Sequence, residues 1–142
     1  MLRTIDETIA VAPQITPDDV PAIAAAGYVA IVNNRPDDEE PGQPAGEAIR
    51  AAAEAAGLSY VAIPVTHAGF SFPQVAEMAQ ALARADGPVL AYCRSGTRSC
   101  NLWALAKAAG GADADELTGK AAGAGYDIGG LRPLMDAVAK RG

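Results

Sequence analysis

The sequence predicts an α/β fold, one domain on a mainly parallel sheet of four or five strands flanked by helices. Short β-like runs alternate with Ala-rich helical stretches, an order that implies parallel pairing through right-handed crossovers. Hydrophobic residues make up 50% of the chain but aromatics only 5%, so the core is built from Ala, Val, Ile and Leu. With 142 residues, the chain has the length of a single domain spanning 1–142 and can bury its core without disulfide staples.

The elements follow in order. "TIAVAPQ" reads as the first strand. "TPDDVPAIAAAG" reads as a helix with Thr16 as N-cap, Pro17 at the first helical position, two aspartates in the first turn and a stop at Gly27. "YVAIVNNRP" is a second buried strand, halted by Pro36, and "DDEEPGQPAGE" is a polar loop. The helix "EAIRAAAEAAG" ends at Gly57, and "SYVAIPV" is the third strand. After the loop "THAGFSF", the stretch "PQVAEMAQALARAD" places Val75, Met78, Ala79 and Leu82 on one helical face. "PVLAYC" is the fourth strand, and the rest reads as helices, the first of them amphipathic.

The bulk properties narrow the partners. A net charge of −6 argues against a nucleic-acid backbone, and the low aromatic content argues against a base-stacking surface. No run of about 18 apolar residues and no signal-like apolar segment is found, so a cytoplasmic setting without membrane partners is expected. Cys93 and Cys100 form no disulfide framework, and with a single histidine they form no zinc set. No metal or other cofactor is expected.

In folds of this class, ligands bind outside the carboxyl ends of the strands. That edge receives Asn33 to Arg35, the loop around His67, and Cys93. The stretch "CRSGTRS" joins a buried strand to a helix N-terminus. Gly96 allows the backbone to close into a ring of N–H groups, and the helix dipole and Arg98 add to its preference for an anion. The first anion so favoured is the thiolate of Cys93, a nucleophile, with Arg98 to clamp the arriving group. Arg94, Ser95, Gly96, Thr97, Arg98 and Ser99 make up the cradle, with Ser95 and Thr97 shaping the loop. Arg35 either lines the same pocket or pairs with the acidic run Asp37 to Glu40, itself read as a solvated loop. Cys100 reads as a small core residue, as do Trp103 and Leu105.

These residues carry a resemblance. "CRSGTRS" resembles the active-site loops of rhodaneses, with Cys-x4-Arg/Lys, and of tyrosine and dual-specificity phosphatases, with Cys-x5-Arg. Together with "GYVAIVNNRPDDEEPGQP", "YVAIPVTHAG" and "GPVLAYCRSGTRS", it is similar to the beta-lactamase-hydrolase-like phosphatase-like family, also labelled a sulfurtransferase family. The likeness runs from Thr4 to about Ala106. It implies a dual-specificity-phosphatase-like fold with a rhodanese-length loop. Domains of this kind are also found fused to sulfide-oxidising enzymes.

Two departures point toward sulfur. The six-residue ring suits the single sulfur of a Cys93 persulfide better than a transferring phosphoryl group. The loop "VTHAGFS" also lacks the aspartate acid that dual-specificity phosphatases carry, which leaves protonation of a leaving group to His67, otherwise a solvent-exposed loop residue, or to no residue at all. Ser99 stands either as a donor to the Cys93 sulfur, like a matching phosphatase hydroxyl, or as a simple first-turn cap. The leading expectation is sulfane-sulfur transfer through Cys93, from a small anionic or persulfide substrate to a thiol acceptor. The alternative is hydrolysis of phosphate monoesters, those of a phosphoprotein included, through a Cys93 phosphocysteine. The third is a non-catalytic anion- or partner-binding module.

Overall fold

The computed structural model describes residues 2–141. Five strands form one sheet: β1 (Arg3–Asp6), β2 (Ile9–Ala12), β3 (Ala30–Asn33), β4 (Ser59–Ala62) and β5 (Val89–Tyr92), in the order β1-β2-β5-β3-β4. β2, β5, β3 and β4 run parallel, and β1 lies antiparallel on the edge beside β2. The four parallel strands are those marked in the sequence. β1 is not legible there, because Ile5 is its only buried residue and the strand carries no apolar run.

The strands alternate strictly between two helical layers, as a period-2 pleat requires. Val11, Val32, Val89 and Ala91 face one core, shared with α3 (Phe72–Arg84), α4 (Thr97–Ala109), α5 (Ala114–Gly123) and α6 (Arg132–Arg141). Ala10, Ile31, Leu90 and Tyr92 face the other, shared with α1 (Val20–Ala25) and α2 (Gly46–Ala55). The small alanines of β2 let Val20, Ile23, Ile49 and Ala53 approach the sheet on that side.

Two local readings change. The first helix is shorter than the sequence pattern suggests: Pro17–Asp19 form a 3-10 turn in which the Asp19 carboxylate accepts the Thr16 N–H at 2.8 Å, and only Val20–Ala25 are α-helical. The helix after β5 is not amphipathic. Ser99, Cys100, Leu102, Trp103, Ala104, Leu105, Ala106 and Ala108 of α4 are all buried, because α3 and α6 pack on its flanks. Among the described residues, no helix is long and apolar enough to cross a membrane.

The parallel strands finish level: Ala12 pairs with Tyr92, Tyr92 with Asn33, and Asn33 with Ala62. The loops leaving β2, β3, β4 and β5 therefore gather along one edge of the sheet. α4 holds this arrangement from behind, and its Trp103 is fully buried with an Nε1–H that finds no acceptor. Trp103→Ala is expected to cost about 3–5 kcal/mol in urea unfolding, the range for truncating a buried aromatic. Trp103→Phe should cost clearly less, since it keeps most of the packing and removes the unpaired donor.

Candidate active site

Cys93 continues β5 by one residue, its N–H bonding the Ala12 carbonyl at 3.3 Å. The chain then turns through Arg94, Ser95 and Gly96 into α4. Gly96 stands at φ 92°, in the left-handed region that favours glycine. Its N–H points at the Cys93 sulfur, 3.1 Å away, and its carbonyl accepts the Cys100 N–H. The nucleophile candidate thus sits at the N-terminus of a 13-residue helix and receives a backbone donor. Ser95 and Thr97 shape the turn: their hydroxyls are bonded at 3.0 Å, and the Thr97 N–H reaches Ser95 Oγ.

Arg98, the second residue of α4, is held by groups from two other loops. Its Nη1 and Nη2 donate to the two carboxylate oxygens of Glu39 at 2.7 and 2.8 Å, and Nη1 also donates to the Val65 carbonyl at 2.6 Å. Glu39 in turn accepts from Arg35 Nε at 2.8 Å, so one carboxylate bridges two guanidinium groups. Arg35 completes its bonding with Gln14 at 3.1 Å and Glu40 at 2.9 Å. The Glu39 carboxyl is held well below its usual range, at about 2, by the Arg98 hydrogen bonds, with Arg35 adding to them against the opposing effect of burial.

A second buried node lies beneath. Asn34 and Ser99 are both fully buried, and the Ser99 hydroxyl donates to Asn34 Oδ1 at 2.8 Å. Asn34 Nδ2 donates to the Ile63 carbonyl at 3.0 Å, and its backbone bonds Tyr92 and Val65. Ser99 is thus a strut between α4 and the β3 exit. Its one proton goes to Asn34, which removes it as a donor to the Cys93 sulfur.

The remaining candidates separate. Arg94 is exposed on the rim, 3.9 Å from Glu40. Arg35 is buried and gives one donor from each of its nitrogens to Glu39, Gln14 and Glu40, so it acts on the site through carboxylates. His67 is exposed on the β4–α3 loop, and among the described residues no hydrogen bond joins it to the 93–98 loop. Cys100 is buried, and burial together with the neighbouring Cys93 pushes its thiol up to about 12. The pairing of Arg35 with the acidic run is the one the sequence offered, met by Glu39 and Glu40. Gln14, Tyr126, whose hydroxyl donates to the Ser95 carbonyl at 3.1 Å, and the bond of Glu39 to Arg98 escape the sequence reading. One signal for that bond is present: an acidic run directly after a strand-end arginine, on the same edge as Arg94 and Arg98.

Residues 1–110 match the family model described as "Beta-lactamase hydrolase-like protein, phosphatase-like domain". A beta-lactamase hydrolase-like protein of Agrobacterium fabrum is 40% identical over 107 residues, which are 75% of this chain and 25% of that one. The chain thus spans about a quarter of this curated relative. The crystal structure of a putative phosphatase from Neisseria meningitidis superposes with a TM-score of 0.81 at 37% identity, covering 95% of this chain and 96% of that one. A mutant form of P. aeruginosa TpbA in complex with pTyr shares the fold, with a TM-score of 0.66 at 18% identity, covering 99% and 88%.

These findings correct the leading expectation of sulfur transfer, with its persulfide substrate and thiol acceptor. The family model is phosphatase-like, and a similar structure at 37% identity is that of a putative phosphatase. The ring-length argument failed because loop length does not say how Arg98 is held: Glu39 and Val65 fix its guanidinium from two other loops. With its family match, the five-stranded mainly parallel sheet and the Cys93–Arg98 loop, this chain belongs to the phosphatase-like domain family of beta-lactamase hydrolase-like proteins.

Proposed function

We propose that the domain hydrolyses phosphate monoesters, aryl esters foremost, through a phosphocysteine on Cys93. The observation that carries this reading is the donor count on Arg98. A guanidinium has five N–H groups. Glu39 takes two and the Val65 carbonyl a third. Because Glu39 occupies the Nη1/Nη2 end and Val65 the remaining Nη1 proton, the pair that these two acceptors leave is Nε–H and the outer Nη2–H. Those two protons form the side-on fork that binds two oxygens of a planar or tetrahedral anion, and Arg98 adjoins the Cys93 sulfur.

In the reaction, the Cys93 thiolate attacks phosphorus in line, the P–O bond to the alcohol breaks, and the departing oxygen takes up a proton. Water then attacks the phosphocysteine, the S–P bond breaks, and inorganic phosphate leaves with the thiolate restored. The Gly96 N–H, the start of α4 and this fork of Arg98 stabilise the charge that spreads over the phosphoryl oxygens. Glu39 and Glu40, the carboxylates at the site, are both held ionised by arginines and have no proton to give near neutral pH. His67 is the one titratable residue of the β4–α3 loop, and the proton for poor leaving groups is assigned to it. Cys93 is fully buried, and the longer aryl phosphate is the ester expected to reach it better than phosphoserine. The pTyr complex of the structurally similar TpbA supports the same choice.

Steady-state hydrolysis of 4-nitrophenyl phosphate tests the reading. Cys93→Ser should abolish turnover, and iodoacetamide at neutral pH should modify Cys93 and spare Cys100, whose thiol stays protonated there. Turnover that survives Cys93→Ser would overturn the reading.

Glu39→Gln should lower kcat/KM by about tenfold or more, because Arg98 loses the partner that fixes its orientation. The same variant has a pH signature. Since the Glu39 carboxyl lies near 2 in the folded chain, below its usual range, its contribution to stability is present above about pH 4.5 and disappears as pH falls toward 2. The stability gap between wild type and Glu39→Gln, measured by urea unfolding, should therefore shrink across that window.

For the proton donor, rates across a series of aryl phosphates should fall steeply as the leaving group becomes more basic. His67→Ala should slow the poorest leaving groups selectively and spare 4-nitrophenyl phosphate. Equal rates for both proteins across the series would remove His67 from the mechanism.

A further inference from the structure

Tyr126 lies beyond the residues matched by the family model, in the segment between α5 and α6. It nonetheless touches the centre of the loop. Its hydroxyl donates to the Ser95 carbonyl at 3.1 Å and sits against Gly96, where any Cβ would run into it. The ring is placed by the end of α5, where the Tyr126 N–H bonds the Ala121 carbonyl at 2.9 Å. Arg3 of β1 stacks its guanidinium 5.6 Å from the ring centre and donates to the Ala124 carbonyl at 3.2 Å.

The carbonyl of Ser95 and the N–H of Gly96 belong to one peptide unit, and it is trans. In a planar trans peptide the two groups point in opposite directions. Holding the carbonyl outward therefore holds the N–H inward, on the Cys93 sulfur. Gly96 is the residue that makes this hold necessary. Glycine adopts either sign of φ at little cost, so rotation of the peptide is barely opposed by the backbone itself. A rotated peptide would turn the Ser95 carbonyl toward the thiolate and remove a donor from the cradle.

We propose that Tyr126 is a positioning residue for this loop: its hydroxyl fixes the Ser95–Gly96 peptide with the N–H facing the nucleophile. The proposal rests on the reading of Cys93 as nucleophile and extends the site to a segment outside the family match. Burial raises the Tyr126 phenol above its usual value, with the two thiols adding to this against the effect of Arg3, so it remains a donor at neutral pH.

The test compares wild type, Tyr126→Phe, Gly96→Ala and the double variant in two assays. One is the rate of Cys93 alkylation by iodoacetamide from pH 6 to 10, located by mass spectrometry. The other is kcat and KM for 4-nitrophenyl phosphate, with thermal melting as a check on folding. Tyr126→Phe, which removes a single oxygen, should slow alkylation at neutral pH by about three- to tenfold, the scale of one lost hydrogen bond. The deficit should close at high pH, where thiolate formation no longer limits the rate, and kcat should fall by a similar factor. Gly96→Ala should be worse than Tyr126→Phe, and adding Tyr126→Phe to it should restore part of the loss by removing the oxygen that meets the new Cβ. Wild-type alkylation in Tyr126→Phe, or losses that simply multiply in the double variant, would overturn the proposal. If wild type hydrolyses no phosphate ester, the phosphatase reading falls, while the alkylation comparison still decides the role of Tyr126.

Discussion

The site depends on one carboxylate shared by two arginines. Glu39 takes Arg35 on one side and Arg98 on the other, and each of the three side chains comes from a different place in the chain's geometry: a strand end, a loop and a helix start. A buried arginine without its partner would bear the full cost of desolvating a charge. Glu39 removes that cost for both arginines and, by occupying one end of Arg98, decides which donors of Arg98 it leaves. Its effect is therefore one of selection as well as neutralisation.

The level strand ends make this bridge possible. Since β2, β5, β3 and β4 finish in register, Gln14, Arg35, Val65 and Cys93 emerge side by side although they lie far apart in sequence. Asn34 locks three of those exits together through bonds to Tyr92, Ile63, Val65 and Ser99. A buried amide held at both its oxygen and its nitrogen is rigid, whereas a misplaced one would leave unpaired groups in the core. The loops that carry the chemistry are thus anchored within a residue or two of their functional side chains.

How much of this the sequence shows depends on the range of the interaction. The parallel strands were legible because buried apolar runs bounded by Gly and Pro are local signals, and the Cys93–Arg98 loop because its residues are contiguous. Glu39 was legible only within an acidic run offered to Arg35; its bond to Arg98 was not, since the two stand 59 positions apart. Tyr126 was missed for the same reason: it lies 31 positions after Ser95, in a tail that periodicity marks only as helical. The preference for sulfur failed at this point too, because loop length is local and the placement of Arg98 is not. The His67 loop had a definite local pattern, but the structure leaves its side chain exposed and without a partner in the cradle.

The charge balance explains why geometry matters more than field strength here. The chain carries a net −6, and Glu39 and Glu40 offset two of the three arginines at the site, Arg35, Arg94 and Arg98. What remains is a small local excess of positive charge against an acidic background, too weak to gather anions from a distance. On the proposed reading, a phosphoryl dianion would be held by direction: the fork of Arg98 that Glu39 and Val65 leave, the Gly96 N–H and the first turn of α4. Directed hydrogen bonds of this kind lose their value with small rotations of a donor, whereas a diffuse field does not. This is why the fold fixes the orientation of Arg98 with two acceptors from other loops and places a tyrosine hydroxyl on the peptide that carries the Gly96 donor.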